Sequence, residues 1–406
     1  MAMNFKVEGD KEKEIVADEL EETEEYEEEV ELEEPSTSNT SSGNDEKKKL
    51  VKLLALLLGV VIAFILIMFL LTSCTNGKKS YEEIEQIMAE AAESYFADHS
   101  ENLPKKDGGT QLVDVSILVA EGYMKDLSKY TSALCTGEVK AQKIGSTYSY
   151  TPKLNCGESY TSRELSDQIK EDNRTVSSGY GLYNKSGNYV FRGETVNNYV
   201  QLETSLWRVV KITSTGNTVL ILDEPLPMTS PYDNRFNTES NYKSGINNYS
   251  SSRLKEKLLE EYEKEDSFLS ANDKAKTTTF DVCSGERGLT ETGVEQAVEC
   301  KKVEQNQKVG LLSAIDYMNA SVDTACTTAG SKNCQNYNYL NGPKTEWWTL
   351  TPSKTNNYLA YMVSINNGIK ETETYNYAAL RPVVYLNSNV LYKSGSGTKE
   401  DPYMVK

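Results

Sequence analysis

An unbroken apolar run from Leu53 to Leu71 is the feature that most limits how this chain of 406 residues can fold. The run contains 19 residues and no charged side chain. At about 1.5 Å per residue a helix of that length spans roughly 28 Å, close to the hydrocarbon thickness of a bilayer. The sequence therefore predicts a transmembrane helix over residues 50–73 and hence a single-pass membrane protein.

The cations that flank this run are unevenly distributed. Four lysines lie within residues 47–52, whereas only Lys78 and Lys79 follow the run closely. Because an excess of cations marks the cytoplasmic side of a membrane segment, we expect a cytoplasmic N-terminus. Residues from about 75 onward would then lie outside the plasma membrane, with the helix as a signal anchor.

Most of the net charge of −18 belongs to the N-terminal tail, because residues 1–46 hold 18 Asp and Glu against 3 Lys. The tail has few large apolar residues, so burial cannot offset its chain entropy. We interpret residues 1–49 as a disordered cytoplasmic tail, either a solvated spacer or a docking tail for a basic partner. The rest of the chain has no dense Lys/Arg face, which argues against nucleic-acid binding.

The apolar run ends in the sequence LTSC, residues 71–74, which resembles the lipobox of bacterial lipoproteins. In those proteins the chain is cut before the cysteine, and the cysteine receives a lipid. Lipoprotein signals normally start near the first residue, whereas this one lies far along the chain. Lipidation of Cys74 is therefore an alternative to the signal anchor.

Six further cysteines follow the apolar run, in the compartment that tolerates disulfides. Six cysteines allow 15 connectivities, and we favour three sequential pairs because each pair brackets a short loop-like stretch. A metal site is the poorer reading, since no Cys-x-x-Cys occurs and the one histidine, His99, is far from every cysteine in sequence. The expected pairs are Cys135/Cys156, Cys283/Cys300 and Cys326/Cys334.

Residues 80–160 read as a small α+β module stapled by the first cysteine pair. Ser80 and Glu83 form a capping-box pattern at the start of an amphipathic helix. Residues 114–130 read as a second helix, and two short strands then turn near Gly145.

A polar stretch, 161–179, reads as a linker to a larger domain over residues 180–406. Strand patterns dominate that domain, and Ser252 precedes its main amphipathic helix. Asn367-Gly368 signals a hairpin. Together these patterns predict a mostly antiparallel α+β domain.

Two strand segments carry a family resemblance: EWWTLTPS at 346–353 and ALRPVVYLN at 379–387. The pair resembles the WW-L-x-[ST]-P and R-P-[AV] strands of an uncharacterised surface domain in membrane-anchored exported proteins of Firmicutes and Mollicutes-like bacteria. That resemblance covers most of residues 80–406 and implies a fold similar to C-type-lectin-like and formylglycine-generating-enzyme-like domains. It also implies structural roles for the tryptophans and the arginine of these patterns: Trp207, Trp347, Trp348 and Arg381.

The sequence departs from both of those functional families. The segment EPLP, residues 224–227, lacks the Asn of a lectin calcium motif, and no Trp-Asn-Asp occurs. The cysteines do not match the reactive pair of a formylglycine-generating enzyme and read better as disulfides. The resemblance therefore carries no established activity, and calcium-dependent sugar binding is not implied.

No enzyme motif stands out in the chain. His99 lies near the predicted membrane segment, which argues against histidine-dependent catalysis in the large domain. No P-loop, G-x-S-x-G or zinc motif occurs. We expect a non-enzymatic protein without catalytic residues, cofactor or metal. The acidic residues Asp223, Glu224, Asp233 and Glu239 are interpreted as solvated loop charge, with a metal or acid/base site as the alternative.

Tyrosines are concentrated in the part of the chain that includes the large domain. Of the 26 tyrosines, 21 lie at or after residue 148, among Asn, Ser and Gly. Such loops resemble antibody-like binding surfaces, although they are also ordinary polar surface. We predict a surface binding and adhesion module for a carbohydrate or protein ligand. The alternative is an envelope-structural or pilin-like component without a discrete ligand. The predicted ligand-facing residues are Tyr232, Tyr242, Tyr249, Tyr337, Tyr339 and Tyr375.

Overall fold

The computed structural model describes residues 78–106, 108–239, 244–292 and 298–406. These residues belong to one compact unit, Gly77–Lys406. The predicted acidic tail, the predicted membrane segment 50–73, Cys74 and Tyr242 lie outside the described residues.

The described chain begins with a helix packed on a small sheet, the N-terminal lobe. Helix α1 (Tyr81–Asp98) starts at Ser80, whose side chain accepts a hydrogen bond from the Glu83 backbone while the Glu83 carboxylate accepts one from Ser80. The predicted capping box is therefore confirmed. The buried face of the helix, including Met88 and Phe96, shares one apolar core with the sheet beneath it.

That sheet has three antiparallel strands in the order β1–β2–β3. Its strands are β1 (Thr110–Asp114), β2 (Thr136–Ile144) and β3 (Thr147–Asn155). The predicted turn between β2 and β3 is confirmed, with Gly145 at φ +59° in the left-handed region that glycine tolerates.

The second helix predicted for residues 114–130 is much shorter than the pattern suggested. Helix α2 (Val115–Ala120) is capped by the Asp114 side chain and ends before Gly122, whose φ is +85°. A left-handed glycine at that position stops the helix, and the following residues form a loop and one 3-10 turn.

The larger core is built around a nine-stranded sheet. Its strands are β4 (Gly181–Lys185), β5 (Asn188–Arg192), β6 (Tyr199–Gln201), β7 (Leu206–Ile212), β8 (Thr218–Leu222), β10 (Thr277–Thr278), β17 (Val383–Leu386), β18 (Tyr392–Ser394) and β19 (Tyr403–Val405). Their order in the sheet is β10–β17–β8–β7–β6–β19–β18; in addition, β5 pairs with β7, and β4 pairs with β5. Nearly every residue of β7 and β8 is buried, including Arg208 and Lys211 of β7.

A five-stranded sheet shares this core, in the order β15–β14–β13–β16–β9. Its strands are β9 (Thr229–Pro231), β13 (Trp347–Pro352), β14 (Leu359–Ser364), β15 (Gly368–Glu373) and β16 (Tyr377–Ala379). The hairpin predicted at Asn367-Gly368 is confirmed between β14 and β15, although its connection has three residues. A separate antiparallel pair joins β11 (Phe280–Cys283) to β12 (Val303–Gln307).

Short helices pack around these sheets: α3 (Leu165–Asp172), α4 (Arg253–Glu263), α5 (Ala271–Ala275) and α6 (Ala314–Ala320). Helix α4 is the predicted amphipathic helix, and the Ser252 side chain caps it. Helix α3 lies within the segment predicted as a linker, and its Leu165 and Ile169 are buried in the larger core. The linker prediction missed this helix because its two apolar residues are isolated in a polar sequence.

The fold class predicted from the sequence was wrong. The described chain is mostly β-sheet with a few helices, rather than an α+β ectodomain of C-type-lectin type. Among the described residues no helix is both long enough and apolar enough to cross a membrane. The α+β prediction overestimated helix content because residues 114–130 carry helical apolar spacing, but the helix in this segment ends at Ala120, before the left-handed Gly122.

The three predicted cysteine pairs all form disulfides: Cys135–Cys156, Cys283–Cys300 and Cys326–Cys334. Disulfides persist in oxidising compartments, so they indicate an extracellular environment for this part of the chain.

Both tryptophans of the EWWTLTPS segment are fully buried, as predicted. Trp348 donates its indole N–H to the Ser230 carbonyl at 2.8 Å, and Trp347 lies edge-on to Tyr317. Trp207 is equally buried on β7. These rings are core, not a stacking platform.

Candidate binding cleft

Three of the predicted ligand-facing tyrosines are buried, which corrects that prediction. Tyr232 donates to the Leu350 carbonyl at 2.8 Å, and its ring meets Trp348 edge-on at 5.5 Å. Tyr249 packs beside Tyr232, and Tyr339 lies under the Arg208 guanidinium. Burial of a phenol ring removes a large apolar area from water. This favours packing of the ring in the core over its exposure to a ligand.

The other described members of that set, Tyr337 and Tyr375, are exposed. Tyr337 has Tyr180 as its aromatic neighbour, with ring centroids 6.1 Å apart. Tyr375 follows strand β15 on the five-stranded sheet. The tyrosines predicted as one set therefore lie in different environments.

A polar cleft of about 440 Å³ opens where strand β13 ends at Pro352. Segments from four parts of the chain line it: residues 246–248, 284–286, 301–302 and 352–357, with Glu239 at the side. None of the described tyrosines lines the cleft. The polar side chains that line the cleft are Glu239, Asn247, Asn248, Ser284, Glu286, Lys301, Lys302, Lys354 and Asn357.

One buried asparagine fixes one wall of the cleft. The Asn247 amide nitrogen lies 2.7 Å from the Ser353 carbonyl, 3.0 Å from that of Asn356 and 2.8 Å from that of Leu359. The Asn247 backbone also donates to the Asn357 carbonyl at 2.7 Å. The Asn247 side chain thus holds the loop after β13 at three carbonyls, as a preorganised site requires.

The Cys283–Cys300 disulfide fixes the opposite wall. The Ser284 backbone donates to Lys302 at 2.8 Å, and Gly285 donates to the Glu299 carbonyl at 2.7 Å. A Cβ at Gly285 would lie 2.5 Å from that Glu299 oxygen, so only glycine allows this close approach.

The cleft carries three lysines, and two of them form no ion pair with a carboxylate of the described residues. Lys302 donates to Asn248 at 2.7 Å and to Ser250 at 2.9 Å, and it lies 3.5 Å from Glu304. Lys301 and Lys354, by contrast, form no ion pair with a described carboxylate. The Gly288 backbone hydrogen bond lowers the pKa of Glu291 most, and the charges of Lys354 and Lys301 lower it further.

Two carboxylates, Glu239 and Glu286, also line the cleft and form no ion pair within the described chain. The lining charge is therefore three lysines against two glutamates, with Lys302 partly satisfied by Glu304. Such a surface suits a hydroxyl-rich or charged ligand better than an apolar one.

A buried ion pair lies directly behind the cleft. Arg287 Nε donates to Glu299 Oε1 at 2.8 Å, and both side chains are fully buried. Burial raises the pKa of the Glu299 carboxyl to about 7, although Arg287 acts in the opposite direction. The Arg287 backbone also joins the cleft wall, since it donates to Pro352 at 3.1 Å and accepts from Lys354 at 3.0 Å.

The acidic residues singled out in the sequence do not form one site. Asp223 lies 3.8 Å from Arg208 and 3.5 Å from Lys399, while Asp233 is paired with Arg235. Only Glu239 reaches the cleft. In the described ranges of the chain, no group of three or more His, Cys, Asp or Glu side chains is placed to hold a metal ion.

The residues that line the cleft were missed in the sequence because lysine, asparagine and glutamate are ordinary loop residues there. The signal that points to them is the cysteine pair: Ser284 to Glu286 directly follow Cys283, and Lys301-Lys302 directly follow Cys300. A disulfide brings both flanking segments to one place, which spacing alone does not reveal.

No family model matches this chain, and neither the curated proteins nor the solved structures contain a match to it.

Proposed function

We propose that the described part of the chain is an extracellular binding module that holds an anionic, hydroxyl-rich ligand in the polar cleft. The proposal rests on one observation: Lys301 and Lys354 line the same cleft, and neither has an ion-pair partner among the described residues. The oxidising environment that the disulfides indicate supports a surface role.

Ligand chemistry follows from the lining. The two lysines would attract carboxylate or phosphate groups, and the asparagine amides would exchange hydrogen bonds with hydroxyls. Because no aromatic ring of the described residues lines the cleft, recognition there would rest on charge and hydrogen bonding. An acidic saccharide meets these requirements, and an acidic surface of a protein ligand would use the same two cations.

The test is binding of the purified full-length protein to an array of acidic and neutral saccharides. Wild-type protein should bind acidic members, and the Lys301→Glu/Lys354→Glu double variant should bind them about tenfold or more weakly, since each lost charge-assisted contact contributes about 1.5–3 kcal/mol. The matched control is Lys393→Glu, which reverses an exposed lysine on β18 away from the cleft lining. Equal binding by wild-type protein and the double variant would contradict the proposal.

A further inference from the structure

Two exposed tyrosines form a pair that takes no part in the cleft. Tyr180 is 40% exposed and Tyr337 is 52% exposed, and their rings lie 6.1 Å apart with planes inclined by 42°. Other tyrosines of the same domain, such as Tyr232, Tyr317 and Tyr361, are buried, whereas these two adjacent rings are both exposed. Neither residue lines the polar cleft.

The backbone at Tyr337 is in the left-handed region, with φ at +49°. A bulky residue rarely adopts that conformation, which costs on the order of 1 kcal/mol or more and persists only where the surroundings enforce it. Here the next residue enforces it: the buried Asn338 amide donates to the Tyr317 and Cys334 carbonyls at 2.9 and 2.8 Å. In this backbone conformation the Tyr337 side chain is 52% exposed.

The second ring is fixed by a close approach to the backbone. A Cβ at Gly193 would lie 2.6 Å from the Tyr180 ring, so that ring rests directly against the glycine. The Gly193 carbonyl also accepts a hydrogen bond from the Tyr339 backbone at 2.9 Å, two residues after Tyr337. Both rings are therefore positioned relative to the same short piece of backbone.

The surroundings of the two rings are polar rather than apolar. The Glu194 carboxylate lies close enough to Tyr180 to add to the rise in the pKa of its hydroxyl that burial causes. Near Tyr337, the Asn336 amide donates to Asp323 at 2.8 Å. A protein partner usually buries its central aromatic residues within a wider apolar contact. Two rings within a polar border suit a ligand that is itself apolar on one face and polar at its edge.

We propose that Tyr180 and Tyr337 form a saccharide-stacking site that takes the C–H face of a hexopyranose. The electron-rich faces of the rings attract the weakly positive C–H groups of the sugar face. The rigid mounting of both rings lowers the entropy lost on binding. This site differs from the cleft in chemistry, because it recognises ring shape rather than anionic charge.

The test uses the full-length protein and neutral hexose oligosaccharides, with binding followed on an array and by saturation-transfer NMR. Tyr337→Asn removes the ring but keeps a residue that tolerates the left-handed backbone, so its melting temperature should not fall. Tyr180→Ala and Tyr337→Asn should each weaken binding about tenfold, whereas Tyr337→Phe should retain most of it because stacking needs the ring and not the hydroxyl.

Two controls separate this site from a general effect and from the cleft. Tyr377→Ala removes a tyrosine that is 63% exposed but lies on strand β16 outside the pair, and it should bind as wild-type protein does. The Lys301→Glu/Lys354→Glu variant should likewise keep its binding of neutral saccharides. Absence of any neutral saccharide binding by wild-type protein, or unchanged binding by Tyr337→Asn, would overturn the proposal while leaving the cleft proposal untouched.

Discussion

The Arg381 guanidinium lies over the Trp347 ring at 5.1 Å, and both side chains are fully buried. Arg381 also donates to three backbone carbonyls, those of Leu222, Leu340 and Asp223, at 2.8 to 2.9 Å. Burial lowers its pKa to about 10, which leaves the group charged at neutral pH. One cation thus ties the nine-stranded sheet to the start of β13.

Replacing this arginine should destabilise the fold strongly. Arg381→Met keeps much of the side-chain volume but leaves three buried carbonyls without donors, at a cost of about 3 kcal/mol or more. Trp347→Ala should cost ~3–5 kcal/mol through the cavity it leaves. Urea unfolding measures both losses, and Arg253→Met on the exposed face of α4 serves as a control that should change stability by less than about 0.5 kcal/mol.

The buried Glu299 carboxyl should make stability depend on pH near neutrality. Its pKa of about 7 in the folded protein lies above its ordinary value of 4.5, so the folded state binds this proton more tightly than the unfolded chain. The resulting stabilisation is complete below about pH 4.5 and is lost as the pH rises through about 7, by ~3 kcal/mol at most. Denaturant unfolding at pH values from about 5 to 8 should show this fall.

The variant Glu299→Gln removes the titrating proton and keeps an oxygen for Arg287 to contact. Its free energy of unfolding should therefore vary less with pH than that of the wild-type protein. Glu286→Gln, an exposed change in the same segment, should leave the wild-type dependence intact. A steeper dependence in Glu299→Gln would contradict the assignment.

The Cys283–Cys300 disulfide should affect both stability and the cleft. Its removal by Cys283→Ser/Cys300→Ser should lower the free energy of unfolding by ~2–4 kcal/mol and weaken ligand binding, because two cleft walls follow these cysteines. Thermal unfolding and the saccharide array measure the two effects. Removal of Cys135–Cys156 should cost comparable stability in the N-terminal lobe and spare binding; equal binding losses in both variants would show that the first disulfide has no special role in the cleft.

Replacement of the Asn247 amide should lower the free energy of unfolding. In Asn247→Asp a carboxylate would replace a donor that faces three carbonyls, so we expect a loss of about 3 kcal/mol or more. The neighbouring Asn248→Asp is a close control, because Asn248 is exposed and accepts a hydrogen bond from Lys302. Urea unfolding should show a small effect for Asn248→Asp; similar losses at both positions would argue against the role given to Asn247.

Local sequence patterns predicted the local structures well. The capping box at Ser80, the turn at Gly145 and the hairpin before Gly368 were all predicted, because each depends on residues next to one another in the chain. The three disulfides were predicted from their spacing and from the compartment. The fold class was not, because apolar spacing in short segments does not distinguish a brief helical turn from a longer helix.

Burial of individual tyrosines could be decided only by the tertiary structure. Tyr232 and Tyr337 occur in similar Asn- and Ser-rich sequences, yet Tyr232 lies against Trp348 in the core and Tyr337 faces outward. Whether a ring is covered depends on which distant strand packs over it. The cleft also could be found only in the tertiary structure. Its lysines and asparagines lie together because a disulfide and the Asn247 side chain bring distant loops together.

The sequence by itself determined the turns, the caps, the cysteine pairing and the burial of Trp347 and Trp348. These features depend on neighbouring residues or, for the tryptophans, on the large apolar area that burial removes from water. The tertiary structure alone decided the order of the strands, the fully buried positions of Arg287 and Arg381, and the places where polar and aromatic side chains stay exposed. The physical reason is that those outcomes depend on contacts between residues that are distant in the chain, such as Arg381 with Leu222, which no local pattern encodes.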